Sequence, residues 1–117
     1  MEEERIVLCG ANSYKQKYYF NEEFSGLPEQ VKQELKILCV LFTEEIGGTL
    51  TLEFLEDGTL TLNVSHEDAD YLFDEIGSEL KIREIQREQS ELMLALERYF
   101  QVVFLGEIPD DDEDEEP

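Results

Sequence analysis

The sequence has no tryptophan, a single histidine, two cysteines and nine basic residues. Each scarcity excludes something. One histidine and two cysteines far apart in the chain, Cys9 and Cys39, do not make the closely spaced ligand set of a zinc site or a thioredoxin-type motif. Nine bases against 30 acids give a net charge of −21. That balance argues against direct binding to nucleic acid or to an anionic membrane, because phosphate neutralisation needs clustered Lys and Arg. The longest unbroken apolar run, Ile37-Leu38-Cys39-Val40-Leu41-Phe42, is far too short to span a bilayer. The chain starts Met1-Glu2-Glu3-Glu4, the opposite of a basic signal-peptide start, so a cytoplasmic protein is expected. No glycine-rich phosphate loop, nucleophile elbow or Walker-type motif is present, and no catalytic residue, metal or cofactor is expected.

What is present suffices for a globular domain. A chain of 117 residues buries roughly two-thirds of its unfolded surface, so no disulfide or metal is needed to hold it. Seven of the net negative charges lie in residues 110–116, which leaves −14 on the rest; acidity is therefore a property of the domain as well as of its end. We read residues 1–108 as a single domain and 109–117 as a disordered acidic tail.

Residues 28–64 organise the chain. Pro28 suits a helix start, and Glu29 there faces the positive end of the helix dipole. Val31, Leu35, Leu38 and Phe42 follow at helical spacing. The run 37–42 is apolar all round, which predicts cover on more than one side of this helix. Gly47 and Gly48 end it. Next, Leu50, Leu52 and Phe54 alternate with polar residues, as do Leu60, Leu62 and Val64. A two-residue Asp57-Gly58 turn would set Phe54 opposite Thr61. A three-residue loop, Glu56-Asp57-Gly58, instead pairs Leu55 with Thr59, Phe54 with Leu60, Leu52 with Leu62 and Leu50 with Val64. A one-residue slip turns every side chain to the other face, so the pattern selects the three-residue loop with Gly58 left-handed in a bulge.

Before this unit, Arg5-Ile6-Val7-Leu8-Cys9 reads as a first strand, residues 10–13 as a turn, and the aromatic-rich 15–20 as a second strand. After it, Ser65 is a suitable N-cap with Asp68 at the capping-box position; Ala69, Leu72, Phe73 and Ile76 predict the buried stripe of a short helix broken by Gly77. From Glu79 the helical period resumes through Ile82, Ile85, Leu92, Leu96, Tyr99 and Val103, with an exposed polar gap at Glu88, Gln89 and Ser90. The β-branched and aromatic residues 102–105 fit either a last helical turn or an extended segment. The result is an α+β fold: an antiparallel sheet of about four strands, elements in ββαββαα order, the central helix on one face and the C-terminal helices packed on it.

Several segments resemble a known family when read together: Ile6-Val7-Leu8-Cys9-Gly10-Ala11, Lys17-Tyr18-Tyr19-Phe20-Asn21, and residues 39–48 ending Glu44-Glu45-Ile46-Gly47-Gly48. Leu72-Phe73-Asp74-Glu75-Ile76 and Glu97-Arg98-Tyr99-Phe100 join them. The chain resembles a family of small bacterial proteins carrying a domain of unknown function, found mainly in Gram-positive anaerobes. The resemblance covers nearly everything except the acidic tail. It implies a bacterial cytoplasmic origin and carries no activity, ligand or catalytic residue.

The residues with chemical potential have competing readings. Cys9 and Cys39 read as buried free thiols. His66 with Glu67, Asp68 and Asp70 looks like a ligand cluster, but acids at a predicted N-cap serve the helix dipole without further purpose. Glu44-Glu45 sits at the wrong helix end for that dipole and calls for a positive neighbour, either Lys15 or Lys17 or a residue of a partner. Tyr14-Lys15-Gln16-Lys17-Tyr18-Tyr19-Phe20 interleaves base and aromatic, as single-strand nucleic-acid platforms do, yet the domain charge opposes that use. Lys81, Arg83 and Arg87 read as a solvated helix face paired to Glu79 and Glu84. The function expected is a small, acidic, non-enzymatic adaptor or regulator with a protein partner, one rich in basic groups being favoured. Tyr14, Tyr18, Tyr19, Glu44 and Glu45 are the candidate contacts. Two other classes stay open: an acidic nucleic-acid mimic filling a partner's basic groove, and a small enzyme with a site near His66 or Glu44-Glu45.

Overall fold

The computed structural model describes residues 4–106; the acidic tail expected at 109–117 lies outside the described residues. The elements are β1 (Ile6–Asn12), β2 (Lys17–Phe20), a 3-10 turn (Glu22–Phe24), α1 (Glu29–Glu45), β3 (Thr49–Phe54), β4 (Leu60–Ser65), α2 (Glu75–Glu88) and α3 (Ser90–Val103). The strands form one sheet in the order β2-β1-β3-β4, every neighbouring pair antiparallel. Since β2 and β3 both run against β1, they are parallel to each other, and α1 crosses over β1 to join them. The expected α+β order holds.

The second hairpin has the register that its apolar pattern demands: Phe54 faces Leu60, Leu52 faces Leu62, and Leu50 faces Val64. The Leu55 N–H donates to the Thr59 carbonyl at 2.8 Å, and Gly58 takes a φ of 93°, closed to most L side chains. In β1 a bulge at Leu8 resets the parity, so that Leu8 and Cys9, though adjacent, are both fully buried. The first strand therefore runs on to Asn12, past the predicted turn at 10–13. The Asn12 side chain makes that turn instead, accepting the N–H groups of Tyr14 at 2.8 Å and Lys15 at 3.2 Å.

The core lies between the sheet and the helices. Leu35, Cys39 and Phe42 turn inward from α1 onto Leu50, Leu52 and Phe54. Phe24 anchors the 3-10 turn by stacking against Phe104 at 4.7 Å and Phe54 at 5.5 Å. Phe100 joins the same stack, which fixes α3 to the end of the second hairpin. Residues 102 and 103 are helical, resolving their ambiguity. The Glu97 carboxylate of α3 also accepts the Leu60 N–H at 2.8 Å, an amide that points away from β3. The far face of the sheet is polar: Arg5 pairs with Glu53 at 3.4 Å, and Thr51 donates to Glu53 at 2.8 Å.

One expectation is overturned and a second holds only in part. There is no helix at 66–74: Ser65 ends β4, and Leu72 and Ile76 are 94% and 74% exposed rather than core. The helical period of the apolar residues was misleading because other groups bind the backbone there. The Glu67 N–H donates to the Tyr14 hydroxyl, and the true cap is Asp74, whose carboxylate accepts the Gly77 N–H at 2.9 Å. Gly77 thus sits inside the first turn of α2 and does not terminate a helix. The second concerns the all-round apolar run of α1. Ile37 and Leu41 are 57% and 55% exposed, since α2 and the sheet cover only part of that helix.

Candidate functional site

The five candidate contact residues separate into different environments. The Tyr14 hydroxyl donates to Asp70 at 2.6 Å and accepts from Glu67 at 3.1 Å, tying the first hairpin to the 66–74 segment; burial and the Asp70 hydrogen bond raise its pKa. Tyr18 turns its ring toward α1, and Tyr19, next along the strand, points outward and is 57% exposed. Glu45 pairs with Lys81 of α2 at 3.3 Å, and Lys81 also reaches Glu84 at 3.5 Å. The cation that offsets Glu45 is therefore Lys81, not Lys15 or Lys17; the expected pairing of this basic face with Glu84 is present, and its pairing with Glu79 is not found among the described residues. Hydrogen bonding to Glu45 raises the Lys81 pKa. The carboxylate of Glu44 remains exposed, with no ion-pair partner among the described residues.

Glu44 lines a cleft of about 760 Å³ between the first hairpin and the C-terminal half of α1, together with Lys17, Tyr18, Lys36, Val40 and Thr43. Lys36 lies over the Tyr18 ring at 6.0 Å, and Lys32, one turn back, lies over Phe20 at 5.9 Å. Four of the nine bases, Lys15, Lys17, Lys32 and Lys36, belong to the hairpin and α1. Beneath the cleft, the Cys9 and Cys39 sulfurs are 3.8 Å apart and fully buried. The Tyr18 hydroxyl is buried without a hydrogen-bond partner among the described residues; burial, then the neighbouring Cys9 and Cys39, push its pKa up. The thiols lie on a strand and a helix that sequence spacing could not bring together. Only the α1 crossover over β1 does so.

A second concavity, of about 380 Å³, runs between α1 and α2. Its floor is Ile37, Leu38, Leu41 and Ile85, and Glu34, Glu88 and Lys81 stand around it. Glu34 and Glu88 also border the adjoining depression with Glu91, so one end of the groove is acidic.

His66 lies in neither concavity. Its Nδ1 is 2.9 Å from the Glu67 carbonyl and its Nε2 3.2 Å from the Glu75 carboxylate. Both partners only accept, so the arrangement favours the protonated ring, which can donate to both; the ring stacks on Phe73 at 4.5 Å. Among the described residues no group of three or more His, Cys, Asp or Glu side chains is arranged to hold a metal ion. No described helix is long and apolar enough to cross a membrane.

These features define a small α+β domain with a four-stranded antiparallel sheet, a crossover helix, one mixed-charge cleft and one acid-rimmed apolar groove. The chain belongs to DUF6145, a family of unknown function, which it matches over residues 5–108. No curated protein and no solved structure is detectably similar to it.

Proposed function

We propose that this protein is a non-enzymatic cytoplasmic adaptor or regulator whose α1–α2 groove takes a basic amphipathic helix of a partner protein. One observation carries the reading. Ile37 and Leu41, one turn apart on α1, remain more than half exposed on the floor of a groove bordered by Glu34 and Glu88 at its acidic end and by Lys81, whose charge is paired to Glu45 and Glu84. An apolar strip with an acidic border is the complement of a helix with an apolar stripe and basic flanks. A second copy of this chain is a poor occupant, because it brings another −21 of like charge. An exposed apolar strip also favours an adaptor over a nucleic-acid mimic, which would present acids in an ordered row. Two unbridged buried thiols suit a reducing compartment, in support of a cytoplasmic location.

A synthetic Leu/Lys amphipathic peptide of about 18 residues, roughly 27 Å long as a helix, tests the reading by fluorescence anisotropy. Binding is expected to weaken about tenfold or more in Ile37→Ser/Leu41→Ser, equivalent to about 1.4 kcal/mol, and to persist in part at high salt. Equal binding by a scrambled peptide of the same composition, or by the double variant, would sink it.

The cleft supports a second reading, a site for a small molecule with an anionic group. Lys17 and Lys36 line it without carboxylate partners among the described residues, and Glu44 is at hand for a cationic group of the same ligand.

A further inference from the structure

We propose that Cys9 and Cys39 are a modification site: a small hydroperoxide oxidises the pair to an intramolecular disulfide that clamps α1 onto the central strand. The sulfurs are already in van der Waals contact at 3.8 Å, one from β1 and one from α1, with no other element between them. Both side chains are fully buried in the main core. Burial selects the oxidant. Reaction with a bulky disulfide such as oxidised glutathione passes through a mixed disulfide on one protein sulfur, and a core position has no room for it. Hydrogen peroxide is little larger than water and leaves no such adduct. We place peroxide entry at the cleft, whose lining includes Tyr18, with its hydroxyl near Cys9, and Val40, which follows Cys39 in the helix.

The chemistry closes. One sulfur, as thiolate, attacks a peroxide oxygen; the O–O bond breaks, and hydroxide leaves and takes up a proton as water. The resulting sulfenic acid is attacked by the second sulfur, the S–S bond forms, and the hydroxyl departs with the second thiol's proton as another water. Two thiols and one peroxide thus give one disulfide and two waters. The contact with Cys9, and burial, push the Cys39 pKa up, which lowers its thiolate fraction. The product joins strand and helix directly beneath the cleft floor.

The test uses the full chain, reduced, desalted and exposed to millimolar hydrogen peroxide or, separately, to oxidised glutathione. With peroxide, intact mass is expected to fall by two hydrogen atoms, both thiols to disappear together in a denaturing titration, and the chain to stay monomeric on a non-reducing gel. Dithiothreitol should restore both thiols, and oxidised glutathione should act far more slowly. Three results would overturn the proposal: oxygen added to one cysteine while the other stays free, disulfide-linked dimers, or two intact thiols after prolonged exposure. Oxidised glutathione reacting as fast as peroxide would overturn the assignment of the oxidant. The measurement needs no variant, so loss of folding in a cysteine substitution cannot obscure it.

Discussion

Phe54 and Phe100 stack nearly parallel, their ring centroids 4.4 Å apart and their planes 14° from one another. This contact joins the last helix to the second hairpin, and Phe24 completes the stack from the first half of the chain. Replacing Phe100 by alanine removes a ring that is 2% exposed and leaves a cavity against three others, Phe24, Phe54 and Phe104. A loss of about 3–5 kcal/mol is expected for Phe100→Ala, read as a lower urea midpoint at unchanged slope. Val102→Ala, on an exposed position of the same helix, should change stability by no more than about 0.5 kcal/mol. Similar midpoints for the two variants would refute the role given to the stack.

Gly47 and Gly48 both have positive φ, 95° and 75°, yet they are not equivalent. A Cβ on Gly47 meets nothing within 4 Å, whereas one on Gly48 would lie 2.6 Å from the Ser65 carbonyl and 2.8 Å from the Phe73 ring. Gly47→Ala should cost only the left-handed backbone penalty, about 1–2 kcal/mol. Gly48→Ala should cost about 1–3 kcal/mol more through overpacking. Thermal or urea denaturation of the two variants side by side checks the order; the reverse order would contradict the packing of Phe73 against the start of β3.

His66 gives the molecule a pH response. The Glu67 carbonyl first, and then Glu75, raise its pKa above the ordinary value, against some desolvation. A folded-state pKa above the unfolded one means that the charged ring stabilises the fold fully below about pH 6.5 and that this contribution is lost as pH rises through the folded value. As the sole histidine, it gives one set of ring signals in an NMR titration. The midpoint should fall in Glu75→Gln. A wild-type midpoint at or below that of the urea-unfolded chain would contradict the double donation by the ring.

The sequence disclosed what local patterns control. Strict alternation on both sides of Gly58 admits one loop length that keeps Phe54 opposite Leu60, so the hairpin register could be derived before any contact was known. Strand order could not, because β1 between β2 and β3 is a long-range choice that leaves no period in the chain. The 66–74 segment misled for a related reason. Ala69, Leu72, Phe73 and Ile76 fit a helical stripe, but the Tyr14 hydroxyl more than fifty residues earlier takes the Glu67 amide. The candidate sites depend on such distant partners throughout. Lys81 beside Glu45 and Cys9 beside Cys39 follow from how α1 lies across the sheet, and the exposure of Ile37 and Leu41 follows from where α2 stops covering it.

The carboxylate that takes the Leu60 amide has a consequence for assembly. A sheet with two open edges invites strands from other molecules to add to it, the usual start of edge-to-edge aggregation. Here β2 offers a border only four residues long, and on β4 the outward amide of Leu60 is already occupied by Glu97. A foreign strand would have to displace a charged group from α3 before forming its first bond there. Growth by strand addition is disfavoured at both borders, and association is left to the helical side of the molecule.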